Sequence, residues 1–283
     1  MSLDTFIPQV WSAKILQTLE KVHVYAKLVN HDYEGEIKGQ GDSVRIQTVG
    51  DVTIDNYVKN STTITPENLH GTDQVLTITQ AKYFAFEIDS IDKVQAKPEL
   101  MSKFTTRAGY GLSDTLDVYL AGTIITGGVG ASNILTALPN VGVGASDDDA
   151  YEALVDLGVK LDENNVPSED RWCVIPPWFD GVLRKDLRFS GYGTDKSRGT
   201  IRGEPIGDIN GMVIYKSNNV PEAGGDYDIL AGWKGAVTIA EQIRETVAYK
   251  PESSFDDALK GLHLYGAKVT RPTALAKVVC TAA

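Results

Sequence analysis

Residues 248–279 read AYKPESSFDDALKGLHLYGAKVTRPTALAKVV, and the reading of this stretch decides the fold. A polar segment follows Pro251, and Phe255–Leu259 reads as a short helical turn. Leu262–Val269 is a strand-like run, broken by Arg271-Pro272, and Leu275–Val279 is another. Just upstream, Val237–Ala240 has the same character. The C-terminal third therefore alternates strands with one short turn of helix.

Near the other end the chain reads Val29-Asn30-His31-Asp32-Tyr33-Glu34-Gly35-Glu36-Ile37, then Gly41-Asp42-Ser43-Val44-Arg45-Ile46. Thr, Val and Ile dominate residues 43–90. Val44, Ile46 and Thr48 alternate, and Val52 and Ile54 continue the run. A return limb carries Val75–Ile78 and Tyr83–Ile88. Between the limbs lies a polar, turn-rich connection, Ser61 to Gly71. The pattern predicts one long two-stranded hairpin. Such a hairpin is marginal alone in water, and its middle is poor in large apolar groups. The body of the domain or a second subunit must hold it.

Four further elements complete the chain. Trp11, Ile15, Leu19 and Val22 share one face of a helix over 9–22, with Pro8 in its first turn. Pro98 opens a long helix in which Leu100, Phe104, Ala108, Leu112, Leu116 and Leu120 recur every four residues; that spacing drifts, so the apolar stripe spirals. Gly127-Gly128-Val129-Gly130 ends it. A helix over 147–162 takes Ser146 as cap with Asp149 three residues on, and lines one face with Tyr151, Leu154, Gly158 and Leu161. Arg171–Ile175 is a buried strand stopped by Pro176-Pro177, with a short helix around 179–187 after it. Residues 189–203 read as a mobile loop. Asn210-Gly211 between two apolar runs predicts a tight hairpin. The class is α+β, without regular βαβ alternation.

Bulk properties narrow the function. The chain has 283 residues, 42% hydrophobic and 23% charged, which suffices for a real core. The net charge of −11 argues against a sequence-independent DNA binder, which needs clustered Lys and Arg. No signal peptide is visible, and Val118–Ile125, the most apolar run, is too short for a membrane helix. Cys173 and Cys280 are too few for a disulfide framework, consistent with a reducing cytoplasm.

Each constellation that resembles a chemical site has a simpler explanation. Gly127–Ser132 lacks the Lys-Ser/Thr pair of a phosphate loop and follows a helix where a strand is required. Asp147-Asp148-Asp149 lacks the spacing of a calcium loop and suits a helix start. His23, His31, His70 and His263 show no zinc-ligand spacing, and His263 reads as a packed core residue. Neither cysteine has a base nearby in sequence. No serine lies in a G-x-S-x-G elbow. Arg184, Lys185, Arg188, Lys196, Arg198 and Arg202 form a basic cluster with Asp186, Asp195 and Glu204 mixed in. It reads as a solvated face or as charge pairing with an acidic neighbouring subunit. No catalytic residue, metal or cofactor is expected.

The order of these pieces resembles tailed-bacteriophage major capsid proteins of the Hong Kong type. The quoted stretches at both ends carry the resemblance. Asp186-Leu187-Arg188-Phe189 and Gly207-Asp208-Ile209-Asn210-Gly211, leading to Tyr215 and Ser217-Asn218-Asn219-Val220-Pro221, add to it. The resemblance implies an N-terminal arm over 1–34, an extended hairpin loop over 35–95, and a spine helix with the start of a peripheral domain over 96–145. A mainly axial domain over 146–250 and return strands over 251–283 follow. It implies an architectural subunit, forming pentamers and hexamers of an icosahedral shell around double-stranded DNA, with the extended loop lying over an adjacent copy. Trp11, Lys59, Thr63, Pro66 and Asn68 are the expected inter-subunit contacts. Some members cross-link neighbours through a loop Lys and an Asn; Lys59 is near the loop tip, but no motif marks the Asn or its helper Glu. Met1 lies close to the arm, so no long pro-segment is expected and a separate scaffolding protein is implied, with a portal protein and no membrane. Assembly would occur in the host bacterial cytoplasm, and the product would be a virion capsid. A bacterial nanocompartment shell shares the fold and is the alternative, distinguished by particle size and cargo. An enzyme is the remote third reading.

Overall fold

A computed structural model describes residues 24–33, 43–48, 54–57, 59, 72–88, 99–142, 148–185, 205–249 and 257–282. The expected helix over 9–22, the hairpin tip, the motif at 186–189, the loop at 189–203 and Ser146 lie outside the described residues.

The spine helix α1 runs Glu99–Gly127. Leu112, Leu116, Leu120, Ala121 and Ile124 are buried, but Phe104 is 48% exposed. This is the drift of a four-residue spacing: each step overshoots a turn by about 40°, so the N-terminal members of the line rotate away from the core. Thr105, Ser113 and Asp117 are buried in their place. Asp117 Oδ2 accepts the Val24 N–H at 2.9 Å, which ties the segment entering the fold to the middle of the helix.

Helix α2 spans Ala150–Glu163, and its cap is Asp149 rather than the expected Ser146. Asp149 Oδ1 accepts the N–H groups of Tyr151 and Glu152 at 2.9 and 3.3 Å. Asp149 has an extended backbone there, and its carboxylate also meets the positive end of the helix. Ala153, Leu154, Leu157, Gly158 and Leu161 face inward. Helix α3, Pro177–Lys185, begins two residues before the expected position, with Pro177 in its first turn.

Three sheets complete the described fold. The largest has eight strands. Its members are β4 (Leu138–Gly142), β5 (Asp148–Asp149), β6 (Arg171–Ile175), β7 (Pro205–Ile209), β8 (Met212–Lys216), β9 (Glu222–Ala223), β10 (Asp226–Trp233) and β13 (Leu275–Ala282). The order is β5-β4-β13-β10-β6-β8-β7, with β9 on β10. Strand β6 is buried along its whole length, because it is central and both faces are covered. Asn210 and Gly211 have φ of 51° and 75° and make the tight β7–β8 turn read from the sequence. A three-stranded antiparallel sheet has order β11 (Val237–Tyr249), β12 (Asp257–Val269), β3 (Gln80–Ile88). The hairpin sheet pairs β1 (Ser43–Thr48) with β2 (Thr72–Thr77).

Two expectations need correction here. The return limb of the hairpin stops at Thr77; Tyr83–Ile88 belongs to β3, which pairs with β12 from Gln80↔Tyr265 to Ile88↔Asp257. Period-two alternation marks a strand but not its partner, so two strands in series read as one limb. Second, Asp257–Leu259 is strand and not helical turn, because β3 pairs with all three residues and β11 pairs with Ala258 and Leu259 on the other side. Tertiary pairing overrides the weak local helical signal there.

One main core joins α1, α2, α3 and the large sheet, with Trp172, Phe179, Leu116 and Leu157 wholly or almost wholly buried. A second, small cluster holds Ile46, Leu76, Ile78, Ala240 and Leu264, with Tyr33, Ala81 and Leu262 at its margin. Two clusters of unequal size mean that the hairpin base is docked on the body and not continuous with its main core.

Candidate assembly surfaces

The hairpin has two chemically different faces. Val44, Ile46, Leu76 and Ile78 are buried, while Ser43, Arg45, Asp73, Val75 and Thr77 are exposed. Ile46, Leu76 and Ile78 pack with Ala240 and Leu264 of the three-stranded sheet. The inner face of the hairpin base is thus completed by its own subunit, while the outer face of the ladder and the described residues beyond it are exposed. Beyond the ladder, Ile54 is 94% and Tyr57 67% exposed. Lys59 is exposed in a turn. Trp11, Thr63, Pro66 and Asn68 lie outside the described residues, so of the five expected contact residues the structure places only Lys59.

The three-stranded sheet offers a second surface, missed in the sequence. One face packs on α1, where Tyr119 meets Tyr265 edge-on at 5.1 Å and Phe86 meets Phe104 at 6.0 Å. The opposite face carries the hairpin base near Leu264. Farther along, it carries Tyr83, 79% exposed, and Tyr249, 40% exposed. The Lys260 ammonium lies 4.8 Å from the Tyr249 ring centroid. Exposed aromatic rings are costly to leave in water and are enriched at interfaces. Strand alternation in 80–88 was the signal available, but without the β12 register it does not say which rings point outward.

Several of the groups singled out for chemistry make structural contacts where the structure describes them. His263 is buried, with Nε2 3.4 Å from Glu241 Oε2 and its ring 5.0 Å from Tyr265. Cys173 and Cys280 are free and buried. Burial, with a smaller contribution from Asp148, pushes the Cys280 thiol up to about 12, and burial likewise pushes Cys173 well up, so neither forms a thiolate nucleophile at neutral pH. Asp148 Oδ2 accepts the Asn140 N–H at 3.1 Å and Asp149 caps α2. They border a hollow of about 240 Å³ with Glu152 and Asp156. Among the described residues no group of three or more His, Cys, Asp or Glu side chains is arranged to hold a metal. In the basic cluster, Arg184 Nε pairs with the buried Asp180 Oδ1 at 2.9 Å and Lys216 with Oδ2 at 3.2 Å. Arg184 therefore has an acidic partner within its own subunit. Arg188, Lys196, Arg198 and Arg202 lie outside the described residues. No described helix is long and apolar enough to cross a membrane.

A hairpin base docked on a three-stranded sheet, whose other face packs on a long helix, beside a larger mixed domain, defines the shell-subunit fold of tailed phages. A chain of Mycobacterium phage Che8 is 28% identical, with a TM-score of 0.68 over 91% of this chain and 90% of that one. The capsid of cyanophage P-SCSP1u is 19% identical, with a TM-score of 0.70 over 93% and 89%. The virus-like particle from Pyrococcus furiosus is 14% identical, with a TM-score of 0.58 over 97% and 99%. No curated protein sequence matches. The family described as phage capsid protein matches residues 72–278, and the chain belongs to that family. It is a capsid shell subunit, a structural protein of the virion and not an enzyme.

Proposed function

We propose that this chain is the major subunit of an icosahedral shell, arranged as pentamers and hexamers and enclosing double-stranded DNA. The observation that carries the reading is the hairpin, whose base is docked on its own subunit while Ile54, Tyr57 and Lys59 are presented to solvent beyond it. Those residues, with Thr63, Pro66 and Asn68, lie over an adjacent copy, and Trp11 in the N-terminal arm makes a further contact. The division into arm (1–34), extended loop (35–95), spine and peripheral part (96–145), axial part (146–250) and return strands (251–283) belongs to this reading. A scaffolding protein guides assembly in the host cytoplasm, and a portal protein admits the DNA, which meets an acidic wall without sequence-specific contacts. The net charge of −11 supports that last point.

A nanocompartment shell is the second reading, favoured by the likeness to the Pyrococcus particle and to the holo-SrpI encapsulin complex of Synechococcus elongatus, 12% identical at a TM-score of 0.59. The 28% identity to the Che8 chain over nine-tenths of both weighs toward the phage capsid. Treating purified particles with nuclease and then opening them decides: protected double-stranded DNA supports the capsid, and a protein cargo without DNA contradicts it.

A further inference from the structure

Gly266 lies in β12 opposite Ala240, one residue past the last β12–β3 pair, Tyr265↔Gln80. Over it passes the corner at 77–79, where the chain leaves β2 and enters β3. A Cβ on Gly266 would lie 2.4 Å from the Thr77 carbonyl oxygen and 3.0 Å from Ile78 Cα. Both are backbone atoms and cannot rotate aside. Glycine inside a strand weakens it, and close backbone approach is what it permits in return. Four residues on, the Gln74 side-chain amide donates to the Thr270 carbonyl at 3.0 Å. Gln74 and Thr77 are about 10 Å apart along β2. A strand held at two separated points has a fixed direction. The apolar contacts of Ile46, Leu76 and Ile78 hold the hairpin down but are non-directional, so they do not fix that direction.

We infer that Gly266 and Gln74 are positioning residues that set the angle at which the hairpin leaves the body, and so where Ile54, Tyr57 and Lys59 land on the next subunit. The consequence for the shell rests on the proposed function; the angle itself does not. A methyl group at 266 must push the corner by about 1 Å to reach ordinary contact, and a hairpin ladder of about 20 Å carries that tilt outward.

The test uses the full chain with spin labels at Arg45→Cys and Lys234→Cys, both exposed, in a subunit whose own cysteines are buried. Gly266→Ala and Gln74→Met are each compared with Gly181→Ala, where an added Cβ meets nothing within 4 Å. The expected result is a label distance shifted by about 1–3 Å in the first two and unchanged in the third. Closed shells of parental diameter fall about tenfold in the first two, as for a misplaced interface contact. An unshifted distance overturns the inference, as does a shifted distance with parental shells. If Gly266→Ala does not fold, Gln74→Met decides on the same two readouts. If the parent chain forms no shells even when co-expressed with its neighbouring phage genes, the proposed function fails, and the label distance alone decides the angle.

Discussion

Leu76→Ala tests the two-faced hairpin most sharply. Leu76 is fully buried against Ile46, Ile78, Ala240 and Leu264, whereas Val75, its neighbour in β2, is 44% exposed on the other face. Truncating a buried Leu costs about 2–5 kcal/mol, and a small cluster near the surface collapses readily, which puts this site near 2–3 kcal/mol. The undocked hairpin should then be about a hundredfold more populated, at about 1.4 kcal/mol per factor of ten. Trypsin cleavage at Arg45 reads that population when opening is fast relative to cutting, and amide exchange in 43–48 and 72–77 reads it independently. Val75→Ala should cost less than about 0.5 kcal/mol in the subunit. If Val75 contacts a neighbour, its loss appears only as a lower yield of shells. Equal destabilisation by the two substitutions would refute the face assignment, and so would a silent Leu76→Ala.

Three further outcomes follow from the same geometry. Asp149→Ala removes a cap that accepts two backbone N–H groups and should cost about 1 kcal/mol, lowering Tm by about 2–4 °C in a thermal melt. Burial raises Tyr265 from its ordinary 10 to about 12, with Tyr119 adding to the effect, and Cys280 rises from 9 to about 12. In both cases the folded state holds its proton longer than the unfolded chain, so the contribution is complete below pH 9 and is lost as pH rises to about 12; denaturant titrations across that window should show it, with a shallower decline in Tyr265→Phe. Replacing residues 51–69 with a short turn spares the β1–β2 ladder and should leave a folded subunit that forms no closed shells, as read by melting and electron microscopy; normal shells would remove the tip from the interface.

Local signals were readable wherever one short segment decides the outcome. The Asn210-Gly211 turn, the buried strand Arg171–Ile175 and the spine helix all appear as expected, because turn chemistry and periodicity act over a few residues. Pairing was not readable. Strand β3 lies about 170 residues from β12, and only their register shows that Tyr83 points outward while Phe84 packs over Gly261. The parallel pairing of β6 with β8 was likewise invisible, since alternation does not encode strand direction. The cap of α2 was misplaced by three residues because Ser146 and Asp149 both suit the role, and backbone geometry chooses between them. Of the exposed residues offered as assembly contacts, Lys59 was named from the sequence, while Tyr83 and Tyr249 were not, as their exposure depends on how much of the sheet the hairpin base covers.

The central claim is that this chain closes into a shell by laying its hairpin over a neighbour. A cryo-electron reconstruction of particles formed by the full chain tests it directly. The account predicts an icosahedral shell of pentamers and hexamers in which Ile54 and Tyr57 of one subunit are buried against the next. A closed shell in which those residues face solvent would contradict it, and so would a chain that stays monomeric at every concentration and salt and forms no particles when co-expressed with its neighbouring phage genes.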